Sequence, residues 1–296
     1  MRASRCALPQ LARWLLVAAL GLSACSSLPT LIVSRIVLDT PQELEESGPH
    51  ERLRAQLRRW VASTRRLRWR AGQSEGGHLL RLLLGPVEAS LSAGAGQRAV
   101  AMSLEPTGSG ATYSAYRAVT AGPDVEAMLA EALPQLGAQL QQERQLEVDG
   151  EAALIGALAD PVSQVRRFAI GRLCERRLVG AVPALSALLA SETDEPTLMK
   201  AVGALVVLGD RRAVGPLIDL SLHAEDTRVI QLAFAVSALG GPLAASYLVT
   251  LAGGHPEPLV QRGAADALEE LQRQQKHRRR APLPPPNPPL IRPPNP

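Results

Sequence analysis

The chain has 296 residues, 32 Lys and Arg against 28 Asp and Glu, a formal net charge of +4, and only three Trp, three Tyr and two Phe. That length can bury a sizeable core and exceeds one average domain. So few aromatics argue against a carbohydrate-stacking cleft, and three cysteines are too few for a disulfide-built scaffold.

The first 24 residues read as an export signal. Arg2, Arg5 and Arg13 stand without any acid, an apolar run follows from Trp14 to Leu22, and the small residues Ser23 and Ala24 precede Cys25. The apolar stretch is about half of the roughly 20 residues that span a bilayer core, so a permanent transmembrane helix is not expected. The segment Leu22-Ser23-Ala24-Cys25 resembles the lipobox of bacterial lipoproteins. By that resemblance Cys25 is the lipid attachment site and the first mature residue, and Ser26 in place of an aspartate implies the outer membrane, facing the periplasm. Residues 25–30 would form a short tether. Cys6 would leave with the signal and Cys25 would be acylated. Only Cys174 then remains, so no intramolecular disulfide is expected.

Charge is uneven along the chain. Lys and Arg number 12 against 8 acids over residues 25–123, 11 against 20 over 124–271, and 6 against none over 272–296. An acidic central region repels phosphate backbones, which argues against nucleic acid as a partner.

Residues 31–150 read as a small α+β domain that ends in a helix. Strands are expected at Leu31 to Leu38, Leu67 to Arg70, His78 to Leu84, Ala99 to Leu104 and Tyr113 to Thr120. Gly94-Ala95-Gly96 and Gly108-Ser109-Gly110 mark turns. Helices are expected from Glu51 to Arg65 and from Asp124 to Gln142, the latter with Met128, Leu129, Leu133, Leu136 and Leu140 on or near one stripe. Together these make a sheet with two helices on one face. Arg52, Arg54, Arg58, Arg59, Arg65, Arg66, Arg68 and Arg70 mostly turn away from the apolar face of Leu53, Leu57, Trp60 and Val61. They form either a solvated cationic face or a contact for anionic headgroups or lipopolysaccharide.

From Asp160 a pattern recurs: a polar or proline start, an apolar helix ending in Ala-x-Leu or Ala-Leu, a turn, and a second apolar helix. The first unit holds Asp160-Pro161, Val165-Arg166 and Leu173. The second holds Asp194-Glu195-Pro196 and Ala204-Leu205, the third Glu225-Asp226 and Ala238-Leu239, and a half unit Pro256 to Pro258 with Ala267-Leu268. The leucines Leu173, Leu205, Leu239 and Leu268 lie 32, 34 and 29 residues apart, the period of a two-helix repeat. Asp160, Asp194 and Asp226 are candidate helix caps. The leucines are expected to fill the seam, and Cys174 to be a small core residue. Residues 151–271 resemble HEAT repeats, especially the short kind also seen in phycobilisome lyases, with Asp160-Pro161 to Val165-Arg166 the best match. The resemblance implies an all-α repeat solenoid that binds proteins. Met199-Lys200 and Val229-Ile230 stand where the later copies depart from Val-Arg, and nothing supports bilin attachment.

After Leu271 the composition breaks into Lys276-His277-Arg278-Arg279-Arg280 and sixteen residues, nine of them proline. Residues 272–296 are expected to be disordered or extended, either a solvated extension or a binding arm.

Catalytic chemistry is not apparent. His50, His78, His223, His255 and His277 are scattered, without ligand spacing for a metal site, and there is no phosphate loop or nucleophile elbow. No cofactor site is expected. The resulting expectation is a non-enzymatic, membrane-anchored lipoprotein acting as a scaffold or adaptor for envelope proteins through its repeats. The alternative is a structural lipoprotein that binds anionic lipid, lipopolysaccharide or peptidoglycan through its basic helix and tail.

Overall fold

The computed structural model describes residues 28–40, 50–72, 76–85, 97–120 and 124–280. The signal segment, Cys25, the Gly94-Ala95-Gly96 turn and residues 281–296 lie outside them. The chain forms two compact units, one of residues 1–184 and 193–200, the other of residues 185–192 and 201–296.

The first unit begins with a five-stranded sheet of order β2-β1-β3-β4-β5. Its strands are β1 (Leu31–Asp39), β2 (Leu67–Trp69), β3 (His78–Leu84), β4 (Gln97–Pro106) and β5 (Tyr113–Thr120). β1 runs parallel to both β2 and β3, whereas β3, β4 and β5 form an antiparallel meander. Helix α1 (His50–Ser63) links β1 to β2, and α2 (Val125–Asp149) follows β5.

Alternation sorts the strands into an inner and an outer face. Leu80, Leu82 and Leu84 of β3 and Val100, Met102 and Leu104 of β4 are buried, with Leu53, Leu57 and Val61 of α1 and Leu129, Leu133, Leu136 and Leu140 of α2 in the same core. Both helices therefore cover one sheet face, as the sequence pattern predicts. On the outer face Arg81 bridges Asp39 at 2.8 Å and Glu105 at 3.0 Å. Asp124 caps α2 by accepting the amides of Glu126 and Ala127. The helix continues seven residues past Gln142 and stops only at Gly150, whose φ of 84° suits glycine alone. Its Gly137 faces Trp60 of α1, and a Cβ there would stand 2.8 Å from the indole.

The outer edge of β5 is closed by α2. Ser114 donates its amide to Glu143 at 2.6 Å and Tyr116 donates its amide to Gln139 at 3.1 Å. Two strand residues two apart thus meet two helix residues four apart. The opposite edge, β2, is only three residues long.

Helix α3 (Glu151–Gly156) and a single 3₁₀ turn (Ala157–Ala159) lead into a run of helices. In chain order they are α4 (Ser163–Glu175), α5 (Val182–Leu189), α6 (Glu195–Leu208), α7 (Val214–Ser221), α8 (Asp226–Leu239) and α9 (Pro242–Gly254). The long α10 (Pro258–Arg280) follows. This is the α+β region followed by an all-α HEAT-like region. Within the first unit α4 is joined to β5 by stacking of Phe168 on Tyr113, with ring centroids 6.0 Å apart. Within the second unit α8 and α10 approach closely. Ser237 donates to the carbonyl of Ala267 at 2.6 Å, and a Cβ on Gly263 would stand 2.9 Å from Ile230.

Several details of the repeat pattern need correction. Leu173, Leu205 and Leu239 are buried, but Leu268 is only half-buried and Leu271, three residues on, takes the interior place. Leu271 lies one helical turn beyond Leu268, on the buried line of Val260, Ala264 and Ala267. Asp194 does cap α6, accepting the Thr197 amide at 3.0 Å. Asp160 instead closes the turn before α4 by accepting the Val162 amide at 2.8 Å. Asp226 is already the first residue of α8, behind Glu225, which makes no side-chain cap bond. Cys174 is partly exposed rather than a core residue. It neighbours the inward Leu173 on the rim of α4. Finally, α10 runs to Arg280, nine residues past the composition break after which an extended tail was expected. Gln, Arg and Lys are good helix formers, and Gln274 bonds Glu270 one turn back at 3.1 Å.

Candidate functional site

The outward side of α9 carries no charge. The sequence Pro242–Gly254 holds no acidic or basic residue, and two of its large apolar side chains face solvent, Leu243 at 56% and Val249 at 57% exposure. Pro242, Ser246 and Thr250 are exposed beside them. The inner side of the same helix is fixed by buried Ala244 and Leu248 and by Tyr247, whose hydroxyl bonds that of Ser221 on α7 at 2.8 Å. Leu222, directly after Ser221, is 69% exposed. A face so oriented, apolar and uncharged, loses little on desolvation and suits contact with another protein.

Next to the start of α9 lies a cleft of about 510 Å³ lined by Arg211, Gly240, Gly241, Leu271 and Gln274. Successive positive φ angles of 70° and 100° at Gly240 and Gly241 turn the chain from α8 into α9. Pro242 begins the helix where its missing amide costs nothing.

In the first unit, the most unusual chemical group is Glu143. It is fully buried, and burial pushes its carboxyl up to about 8, against the Ser114 amide and the charge of Lys200. Its Oε2 takes the Ser114 amide, while Oε1 has no partner. The next residue, Arg144, is also buried, and its guanidinium donates to the carbonyl of Pro29 at 2.5 Å and to Gln141 at 2.8 Å. A polar cleft of about 230 Å³ opens nearby between Ser114, Gln164, Arg167, Arg172 and Lys200. Arg172 and Arg176 both grip Glu147, at 2.6 and 2.5 Å. Burial would raise the Glu147 carboxyl, but the two guanidiniums outweigh it and hold it below the usual range.

Sequence reasoning singled out Cys25 as the one site residue, and it lies outside the described residues. The arginines of α1 and of the β2 region lie mostly at the surface: Arg52, Arg58, Arg59, Arg65, Arg68 and Arg70 are exposed. Arg52 pairs with Glu126 at 3.1 Å, Arg54 with Glu51 at 2.9 Å, and Arg58 lies 5.4 Å above the Trp69 ring. Glu143 was missed. It reads as one more polar residue late in an amphipathic helix, and only the partner strand reveals its role. The exposed side of α9 was legible as an uncharged stretch, but the sequence does not tell its outer from its inner residues.

Among the described residues no group of three His, Cys, Asp or Glu side chains converges to hold a metal ion, and no helix is long and apolar enough to cross a membrane. Residues 151–239 match the family model of HEAT repeats. No match to the chain is found among the curated proteins.

Proposed function

We propose that this protein is a non-catalytic scaffold whose HEAT-like repeats hold another envelope protein at a membrane. HEAT repeats generally mediate contacts between proteins, and the observation that carries the reading is the uncharged, solvent-facing side of α9, with Leu243 and Val249 each more than half exposed. Exposed apolar side chains without neighbouring charge suit the core of a protein interface, which is depleted in charged residues. In the same reading Cys25 is acylated after removal of residues 1–24, and the lipid ties the chain to the outer membrane on its periplasmic side. The support there is the order of residue types before Cys25: basic, apolar, then small.

Two measurements test this. The first is an affinity pull-down from crosslinked envelopes using the intact chain, Leu243→Asp/Val249→Asp, and a chain ending at residue 280. A stoichiometric protein partner held by the intact and shortened chains and lost by the double variant supports the scaffold. A partner retained by the double variant overturns the assignment of the face. The second is metabolic labelling with an alkyne fatty acid: label on the intact chain but not on Cys25→Ala supports the anchor, and an unlabelled intact chain overturns it.

A further inference from the structure

We infer that the arginine-lined β2 edge of the first unit is a docking surface for anionic phospholipid headgroups, placed to lie against the membrane that carries the chain. The side chains of four exposed arginines of this region, Arg59, Arg65, Arg68 and Arg70, make no ion pair or hydrogen bond among the described residues. Elsewhere in the unit Arg81 is matched with Asp39 and Glu105, and Arg167 with Asp194. Arg68 and Arg70 stand two residues apart along an extended strand, so they project from the same side. Arg59 and Arg65 come from α1 and the turn that follows it. Trp69, between Arg68 and Arg70 in sequence, alternates to the other side of the strand, where it packs against the core beneath the Arg58 guanidinium.

The path of the chain makes this placement specific. The first described residue, Leu28, has its carbonyl bonded by the Arg66 guanidinium, and Leu31 donates its amide to the Arg66 carbonyl at 2.9 Å. Arg66 itself holds a φ of 68°, which turns the chain sharply between Arg65 and Leu67. The amino-terminal segment therefore meets the fold inside the arginine cluster. Three residues of chain reach at most about 10 Å, so a lipid on Cys25 would hold Leu28, and the Arg66 turn bonded to it, within about one Debye length of the headgroups. The inference rests on the anchored reading for that proximity, whereas the cationic edge stands on the contacts alone.

The test separates the two. Residues 26–296, without lipid, are sedimented with vesicles of phosphatidylcholine containing 30% phosphatidylglycerol, and with vesicles of phosphatidylcholine alone, at about 0.1 M salt. The chain is expected to partition onto the anionic vesicles only. Arg59→Gln/Arg65→Gln/Arg68→Gln/Arg70→Gln should weaken that partitioning by tenfold or more while far-ultraviolet circular dichroism stays unchanged. Substituting Arg273 and Lys276 to Gln should leave it within twofold. Equal binding of the quadruple variant, binding that follows the Arg273 and Lys276 substitutions instead, or no preference for anionic vesicles overturns the inference. Fatty-acid labelling of the full chain reports independently on the anchor, so loss of the label with vesicle binding intact removes the anchor and keeps the lipid-facing edge.

Discussion

The amide of Ser114 and the carboxyl of Glu143 meet at 2.6 Å, joining the edge of the sheet to a helix through an acid fully shielded from solvent. The bond answers a need of β5, whose outward amides have no next strand. It leaves the acid with a second oxygen that nothing answers, and the uncharged form is the less costly one there.

Stability should accordingly fall as pH rises. An unfolded glutamate loses its proton near 4.5, while Glu143 keeps its own up to about 8. Below the first value both states are protonated and the stabilisation is fully present. Between the two values the folded chain holds the extra proton, and stability declines by at most about 1.4 kcal/mol per pH unit. His78, lowered by burial and by the charge of Arg144, acts in the opposite direction, losing stability as pH falls below its ordinary value. Urea midpoints of the intact protein and Glu143→Gln, compared from pH 5 to 8, isolate the carboxyl. The intact protein should lose stability relative to Glu143→Gln as pH rises, and parallel curves would show that Glu143 does not keep its proton.

Gly137→Ala should destabilise the first unit by about 1 to 3 kcal/mol through overpacking. In an unencumbered helix the same change is favourable by about 1 kcal/mol. The Trp60 ring lies 2.8 Å from the new carbon and is rigid, so the sign reverses. Thermal unfolding of Gly137→Ala and of Gly137→Ala/Trp60→Leu checks it: the second substitution should recover part of the loss.

Asp194→Ala and Asp226→Ala distinguish a helix cap from a residue that merely sits at a helix start. Asp194 accepts the Thr197 amide and hydroxyl and faces Arg167 at 3.2 Å. Its removal should cost about 1 to 2 kcal/mol. Asp226 lies within the first turn without a cap bond, so its removal should stay within about 0.5 kcal/mol. Chemical denaturation of both variants gives the comparison, and equal losses would contradict the assignment.

Glu147→Gln should cost more than a surface ion pair, roughly 1 to 3 kcal/mol at pH 7, because it removes the acid shared by Arg176 and Arg172, which is only 15% exposed and keeps Glu175 alone. The two guanidiniums hold the Glu147 carboxyl below its ordinary value. Its contribution is therefore present above pH 4.5 and lost as pH falls through the lowered value. The intact protein and Glu147→Gln should converge in urea midpoint below pH 4, and a constant gap would refute this.

Much of the fold was legible because it rests on periodicity. His78–Leu84 and Tyr113–Thr120 alternate inward and outward, and the repeated Ala-Leu helix ends mark helices of the repeat region. Boundaries failed where local chemistry extended an element. Polar Gln and Arg residues carried α10 past Leu271, and α2 continued until the backbone of Gly150 broke it. The inward turn of Leu271 in place of Leu268 depends on helix phase across a whole element, which a spacing of single leucines does not fix. Glu143 could not be read at all, since its partner is a backbone amide 29 residues away.

The two edges of the sheet are finished differently, and the difference bears on crowding. Gln139 and Glu143 occupy the amides on the β5 side, while the β2 side offers three residues flanked by repelling arginines. A sheet with an open edge pairs readily with further copies when molecules are crowded. Sealed by side chains on one side and by charge on the other, this one resists such pairing at high concentration.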